Sequence, residues 1–206
     1  MLKRVEFEAK NDVEALKTAT ELLKIQAEKI KLDIIKEKRG LLGIGASITY
    51  AATPNVTLVT EGKAYLEAIL QTLQIDCRME ARTLDNGNEI HYLVESDENA
   101  LLIGHEGRTL RSLQFILRNY LNTFVDGRLV VSLDIGNYYE NHKKQLEILA
   151  TKTAKEVART RISVKLDPMN AYDRRIIHTK LSEWRDVITE SEGEGEERAL
   201  VIKPKK

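Results

Sequence analysis

Cysteine, aromatic residues and net charge are all scarce in this sequence. Cys77 is the only cysteine among 206 residues, which excludes an intramolecular disulfide and fits a reducing, cytoplasmic setting. Aromatic residues make up 5% of the chain, so binding of nucleic-acid bases on many aromatic side chains is disfavoured. The 32 basic residues balance 32 acidic ones, which argues against a generally basic protein that coats nucleic acid.

The charge is distributed unevenly along the chain. The net charge is +2 over residues 1–52, −5 over residues 53–137 and +3 over residues 138–206. A nucleic-acid site must therefore come from a local patch, and the C-terminal third is the favoured place for it.

Membrane insertion is also disfavoured. The uncharged stretch 40–60 contains three glycines and a proline, which is typical of turns and strands and not of a membrane helix. The N-terminus reaches the charged residues Lys3, Arg4 and Glu6 at once, so we expect no signal peptide. We therefore expect a chain that is not itself inserted in a membrane.

The residue patterns predict an α+β protein of three small domains. Residues 1–52 follow the order β-α-β-β, with strands over 3–10, 30–38 and 47–51 and a helix capped by Asn11 or Asp12. The glycine-rich stretch 40–45 predicts a tight hairpin, because a strand and not a phosphate-binding helix follows it. The only candidate linker, residues 53–55, is too short to be a flexible tether, so the first two domains are expected to pack together.

Residues 56–137 follow the order α-β-β-α-α-β, with a hairpin signal at Asn86-Gly87. The second helix is predicted over 99–103 and the third over 109–122. Gly104 and Gly107 lie between them and can form a sharp turn in front of a helix N-terminus, which favours anions. The GxxG loop of KH domains grips nucleotide phosphates in this way. Motif and element order together are typical of a type II KH domain.

The residues in and after this turn are candidate contacts for a nucleic-acid backbone. Arg108 and Arg111 fall on the polar face of the third helix, one turn from the glycines, whereas Arg118 fits a solvated face equally well. Between the glycines stand His105 and Glu106. The Glu106 carboxylate would repel phosphates, and a protonated His105 would compensate in part. A weak RNA site and a dimerisation surface both remain open as interpretations.

Residues 138–206 contain a second candidate site. A helix is predicted over 171–184, with Asn170 as its cap, and strands over 187–190 and 199–202. Arg174 and His178 lie one turn apart on this helix, with Arg175 beside them. Such an Arg-His pair defines the R-3-H domain, which binds single-stranded nucleic acid. Arginine supplies a planar fork of donors for phosphate, and histidine donates a hydrogen bond or stacks on a base.

The three domains in this order resemble the Jag family, also called SpoIIIJ-associated, KhpB or EloR proteins. The resemblance implies a Jag N-terminal domain (1–52), a type II KH domain (56–137) and an R-3-H domain (138–206). It implies a cytoplasmic bacterial regulator of cell elongation and division that binds single-stranded RNA, with single-stranded DNA as an alternative ligand. The implied partners are a small KH-only protein (KhpA) or a second copy of the chain, and, indirectly, a YidC-type membrane insertase. Many family members carry a long charged linker after the first domain, which this chain lacks.

Two other classes of function compete with RNA binding. A protein-interaction scaffold linked to the insertase would suit Glu106 and the acidic middle domain. An enzyme is disfavoured, because the four histidines are scattered without metal-ligand spacing and no nucleophile–base pair is suggested. Asp173 next to Arg174, and Glu183 near Arg185, are interpreted as helix-surface pairs. We expect no cofactor, no metal and no catalytic residue.

Overall fold

The computed structural model describes residues 1–38 and 47–205. The chain mixes helices and strands and divides into two compact units, Met1–Gly136 and Asn137–Lys206. The hairpin predicted over 40–45 lies outside the described residues.

The first unit begins with a three-stranded antiparallel sheet covered by one helix. Its elements are β1 (Val5–Ala9), α1 (Asp12–Leu23), β2 (Ile30–Lys38) and β3 (Ser47–Pro54), with the strand order β1-β3-β2. Asn11 is the N-cap of α1, since its side chain accepts a hydrogen bond from the Glu14 N–H at 2.9 Å. The predicted linker 53–55 is wrong in part. β3 continues to Pro54, which pairs with Ile30, and a proline is tolerated at this strand end.

The rest of the first unit has the predicted order α-β-β-α-α-β. The elements are α2 (Leu58–Thr72), β4 (Arg78–Leu84), β5 (Glu89–Glu95), α3 (Asn99–Ile103), α4 (Arg108–Asn122) and β6 (Val130–Ile135). β5 is the central strand and pairs antiparallel with β4 and parallel with β6. Helices α2 and α4 bury their apolar faces, which follow the 3.6-residue period, through Leu66, Leu70, Leu110, Leu113, Leu117 and Leu121.

The two parts of the first unit share a core, as the short connection predicts. Phe124, which follows α4, is 2% exposed and packs with Ala19, Leu23 and Ala52 of the N-terminal part. A polar contact crosses the same boundary, where the Lys29 ammonium donates to the Glu61 carboxylate. This shared core positions α4 and the turn in front of it.

The second unit packs two helices on a small antiparallel sheet. Its elements are α5 (Tyr138–Thr160), β7 (Val164–Lys165), α6 (Ala171–Leu181), β8 (Val187–Glu192) and β9 (Ala199–Pro204), with the strand order β7-β9-β8. The core joins both helices to the sheet through Leu146, Ala150, Ala154, Val157, Ile177, Leu181, Val187, Leu200 and Ile202. Asn170 caps α6 as predicted, but the helix ends at Leu181 and not at Trp184.

Across the two described stretches, no helix combines the length and the apolar character that crossing a membrane requires. Cys77 is half-buried, and this burial raises the pKa of its thiol.

Candidate nucleic-acid interface

The turn between α3 and α4 depends on its two glycines. Gly104 has φ +69° and ψ −178°, and Gly107 has φ +74°, both in backbone regions that glycine occupies without strain. A Cβ at position 104 would lie 2.2 Å from the Thr109 Oγ1 atom, which is closer than van der Waals contact allows. The Gly107 N–H closes the turn by donating to the Gly104 carbonyl at 3.2 Å. The predicted sharp turn is therefore present, and Gly104 is required by sterics as well as by its φ.

The two residues between the glycines differ in exposure. His105 is exposed, whereas Glu106 is half-buried and itself has a positive φ of +51°. In residues 1–38 and 47–205 the Glu106 carboxylate has no cationic partner. The negative charge foreseen in the turn is therefore not neutralised by the fold.

Arg111 is exposed to solvent and also stabilises the turn between α3 and α4. Its Nη1 atom donates to the backbone carbonyl of Glu106 at 2.8 Å, although the residue is exposed. This bond occupies one of the five donors of the guanidinium group, so the others can still reach a phosphate.

The exposed face of α4 carries an aromatic residue that the sequence analysis missed. Phe115 is 54% exposed, and the Arg118 guanidinium lies 5.3 Å from its ring centroid. Phe115 follows Arg108 by seven residues, which is two helical turns, so both share one face with Arg111. That spacing could have revealed it in the sequence. The face thus combines two cations with a flat apolar surface, a pairing that suits phosphates and bases together.

Arg174 and His178 lie on one flank of α6, where neighbouring backbone and β8 fix them. The Arg174 Nη1 atom donates to the Met169 carbonyl at 2.6 Å and more weakly to the Arg198 carbonyl at 3.4 Å. The His178 Nδ1 atom is hydrogen-bonded to the Thr189 hydroxyl, and the ring is exposed. Because the remaining guanidinium donors and the His178 Nε2 atom have no partner among the described residues, both side chains can contact a ligand in a fixed orientation.

Arg175 does not join this pair. It is exposed and lines a groove between α5 and α6, together with Tyr172 and Thr179. The structure therefore brings Arg174 and His178 together and directs Arg175 elsewhere.

The interpretation of Asp173 as a surface residue is wrong. Asp173 is 3% exposed, and its Oδ2 atom accepts a hydrogen bond from the Asn170 amide at 2.7 Å. The same oxygen lies 3.0 Å from the Nε2 atom of His142, whose orientation does not form a hydrogen bond. The spacing of Asp173 from buried Ile177, one helical turn, places it on the core face and could have been read from the sequence.

Glu183 and Arg185 lie beyond the end of α6 and form no ion pair within the described parts of the chain.

Comparison with known proteins agrees with this geometry. The R-3-H domain model matches residues 144–204, which fall inside the second unit. The second unit is therefore a member of the R-3-H class of domains.

Relatives match nearly the full length of the chain. A protein of Clostridium symbiosum named RNA-binding protein KhpB is 34% identical over 200 residues, covering 96% of this chain and 90% of the relative. The Bacillus subtilis protein of the same name is 30% identical over 210 residues and both chains are covered completely. A third, from Lactiplantibacillus plantarum, is 34% identical over 158 residues, which is 48% of its length. The chain belongs to the KhpB family, which is the Jag family that its motifs indicate. The names of these relatives describe binding proteins and not enzymes.

Proposed function

We propose that this chain binds single-stranded RNA. The observation that carries the proposal is the pair Arg174 and His178, which are fixed side by side on one flank of α6 in an R-3-H domain. A phosphate can accept from the free guanidinium donors while the imidazole donates to the next phosphate or stacks on a base. These are contacts to backbone and base faces, so they favour single strands and discriminate little between sequences.

We further propose that residues 56–137 are a type II KH domain that supplies a second, weaker RNA site. Three observations support this: the element order, the turn at Gly104 and Gly107, and the exposed face of Arg108, Arg111 and Phe115. The unneutralised carboxylate of Glu106 weakens phosphate binding there. Two linked weak sites on one chain bind a long strand more tightly than either alone, because the second contact forms at a high effective concentration.

The proposal is tested with Arg174→Ala and His178→Ala combined. Each lost phosphate contact lowers the slope of log K against log salt by about 0.7, and loss of both contacts should weaken binding by about tenfold or more. Fluorescence anisotropy of a labelled uridine oligonucleotide, measured at several salt concentrations, gives both quantities. Arg159→Ala is the matched control, since it removes an exposed arginine from α5 outside both surfaces. Equal affinity and slope in the double variant and the control would refute the role of the pair.

The exposed surface of α3 and α4 is also a candidate binding site for protein partners. Leu101 on α3 is 61% exposed and Phe115 on α4 is 54% exposed, which is apolar area that a second KH domain could cover. A small KH-only partner or a second copy of the chain is the proposed occupant, in the setting of cell elongation and division control. Light scattering of the chain with and without such a partner measures this. A mixture in which both proteins keep their separate masses would contradict it.

A further inference from the structure

A groove runs between α5 and α6, mostly on the flank of α6 that faces away from Arg174 and His178. It has a volume of about 740 Å³ and is lined by Lys143, Tyr172, Arg175, Lys180 and Trp184, among others. None of these residues except Arg175 was singled out by the sequence motifs. We call it the α5/α6 groove.

Most of the groove lies on the other side of Ile177 from the Arg-His pair, and Arg175, about 60° from His178 around the helix, borders the groove on the side of the pair. Successive residues of a helix are about 100° apart around its axis, and buried Ile177 marks the direction of the core. Relative to Ile177, Arg174 and His178 lie about 60° and 100° to one side. Ile176 and Lys180 lie about 100° and 60° to the other side. A strand bound to the Arg-His pair alone would leave the α5/α6 groove empty.

The groove has a small cationic excess, with Lys143, Arg175 and Lys180 against Glu147 and Glu183. Within the described residues Lys143 and Arg175 have no ion-pair partner, and Lys180 is held only loosely by Glu147 at 3.4 Å. The positive surface continues along α5, where Lys152 and Lys155 line an adjoining groove that shares Lys180. Two acidic residues, Glu147 and Glu183, line the α5/α6 groove. Lysines and arginine at the walls of a groove concentrate positive potential inside it.

The groove also offers aromatic surface. Tyr172 is 58% exposed at one end of α6, and Trp184 is half-buried just beyond the other end. Flat rings beside unpaired cations match a ligand that alternates planar bases with phosphates. An acidic peptide would satisfy the cations but would have no counterpart for the rings.

We infer that the α5/α6 groove is a second binding site for single-stranded nucleic acid within the R-3-H unit, with Tyr172 and Trp184 stacking on bases and Lys143, Arg175 and Lys180 holding phosphates. The inference rests on the proposed RNA binding and adds a site that lies apart from the Arg-His pair. The R-3-H unit then binds nucleic acid on both flanks of α6, and a single-stranded ligand passes around the helix from one flank to the other.

Trp184 gives a direct readout, because it is the only tryptophan in the chain. In the full chain, an unlabelled uridine oligonucleotide of about 12 nucleotides, within the usual range of single-strand sites, should quench Trp184 emission as it binds. Anisotropy of the same oligonucleotide with a fluorescent label measures total binding independently of the tryptophan.

Two groove variants test the residues. Lys143→Gln with Lys180→Gln should lower the slope of log K against log salt by about 1.4 and weaken binding about tenfold near 0.15 M salt. Tyr172→Ala should weaken binding about fivefold or more and reduce the quenching, since one stacked base is lost. Lys165→Gln with Lys205→Gln is the matched control, which removes the same charge from exposed positions that do not line the groove.

The outcomes separate this inference from the proposed function. Quenching of Trp184 together with the lowered salt slope supports the groove as a site. RNA binding that depends on Arg174 and His178, with no Trp184 response and groove variants that match the control, overturns the groove and leaves the proposed function intact. No binding by anisotropy at low salt overturns both.

Discussion

Comparing Gly104→Ala with Gly127→Ala would separate the cost of backbone strain from the cost of steric clash in the turn before α4. The backbone at Gly104, with φ +69° and ψ −178°, lies in a region that only glycine occupies readily. Forcing alanine into it costs about 1–3 kcal/mol. The new Cβ would also lie 2.2 Å from the Thr109 Oγ1 atom and 3.1 Å from its backbone nitrogen. The hydroxyl can rotate away, but the Thr109 Cβ, 2.9 Å from the added atom, and the nitrogen cannot, which adds about 1–3 kcal/mol of overpacking.

The expected total is a loss of about 2–6 kcal/mol from the free energy of unfolding of the first unit. Gly127 provides the control, because it has a positive φ of +93° and an added Cβ there would meet no atom within 4 Å. Gly127→Ala should therefore cost only the backbone part, about 1–2 kcal/mol.

Urea unfolding followed by tyrosine fluorescence and circular dichroism measures these differences. In the double variant Gly104→Ala with Thr109→Ala, the part of the clash due to the hydroxyl should be recovered while the backbone cost remains. If Gly104→Ala and Gly127→Ala destabilise the protein equally, the turn does not depend on the close approach of Thr109, and the steric argument for the glycine fails.

Two further predictions concern the polar contacts of each unit. Burial opposes ionisation of Glu61, but the hydrogen bonds from Lys29 and Tyr120 and the charge of Lys29 together outweigh it and lower the pKa of the carboxyl below its ordinary value of 4.5. Its stabilisation is therefore present above that value and is lost as the pH falls through the folded pKa. Glu61→Gln should cost about 1–3 kcal/mol at pH 7 in urea unfolding and flatten that acid dependence, and an unchanged dependence would contradict it. Asp173→Ala should destabilise the second unit by about 1–3 kcal/mol, because the half-buried Asn170 amide loses its acceptor and a buried side chain is removed. Thermal unfolding followed by Trp184 emission measures this, and a loss no larger than that of exposed Asp167→Ala would refute it.

The local signals in the sequence were sufficient for most of the elements. The short helix α3 and the strand β2 have the predicted bounds, and Gly104 marks the C-terminal end of α3. Pro54 was misplaced because its position in β3 depends on pairing with Ile30, a contact between residues far apart in sequence. The end of α6 at Leu181 was also missed, since Trp184 continues the apolar period of the helix but follows it as a turn.

The candidate site was predictable in its residues but not in its arrangement. Helical spacing places Arg174 and His178 on one face, and the structure keeps them together. The same spacing could have shown Asp173 to be on the core face, but it places Arg175 next to His178, and only the structure shows that Arg175 lines the groove. The groove could not have been foreseen, because it depends on how α5 lies against α6, and Lys143 is distant from Tyr172 in sequence.

The balanced net charge conceals a separation of charge within the second unit. Alternate residues of a strand point to opposite faces of its sheet, and in β8 Val187 and Thr189 face the helices. Glu190 and Glu192 therefore lie on the outer face, where both contact Lys203 of β9. More glutamates follow in the turn between β8 and β9, so that the hairpin holds a large share of the unit's acidic side chains. Lys143 and Arg175, which have no ion-pair partner among the described residues, and the exposed ring of Tyr172 lie on the helical layer. This is how a chain with no net charge and few aromatic residues can still present a surface suited to RNA.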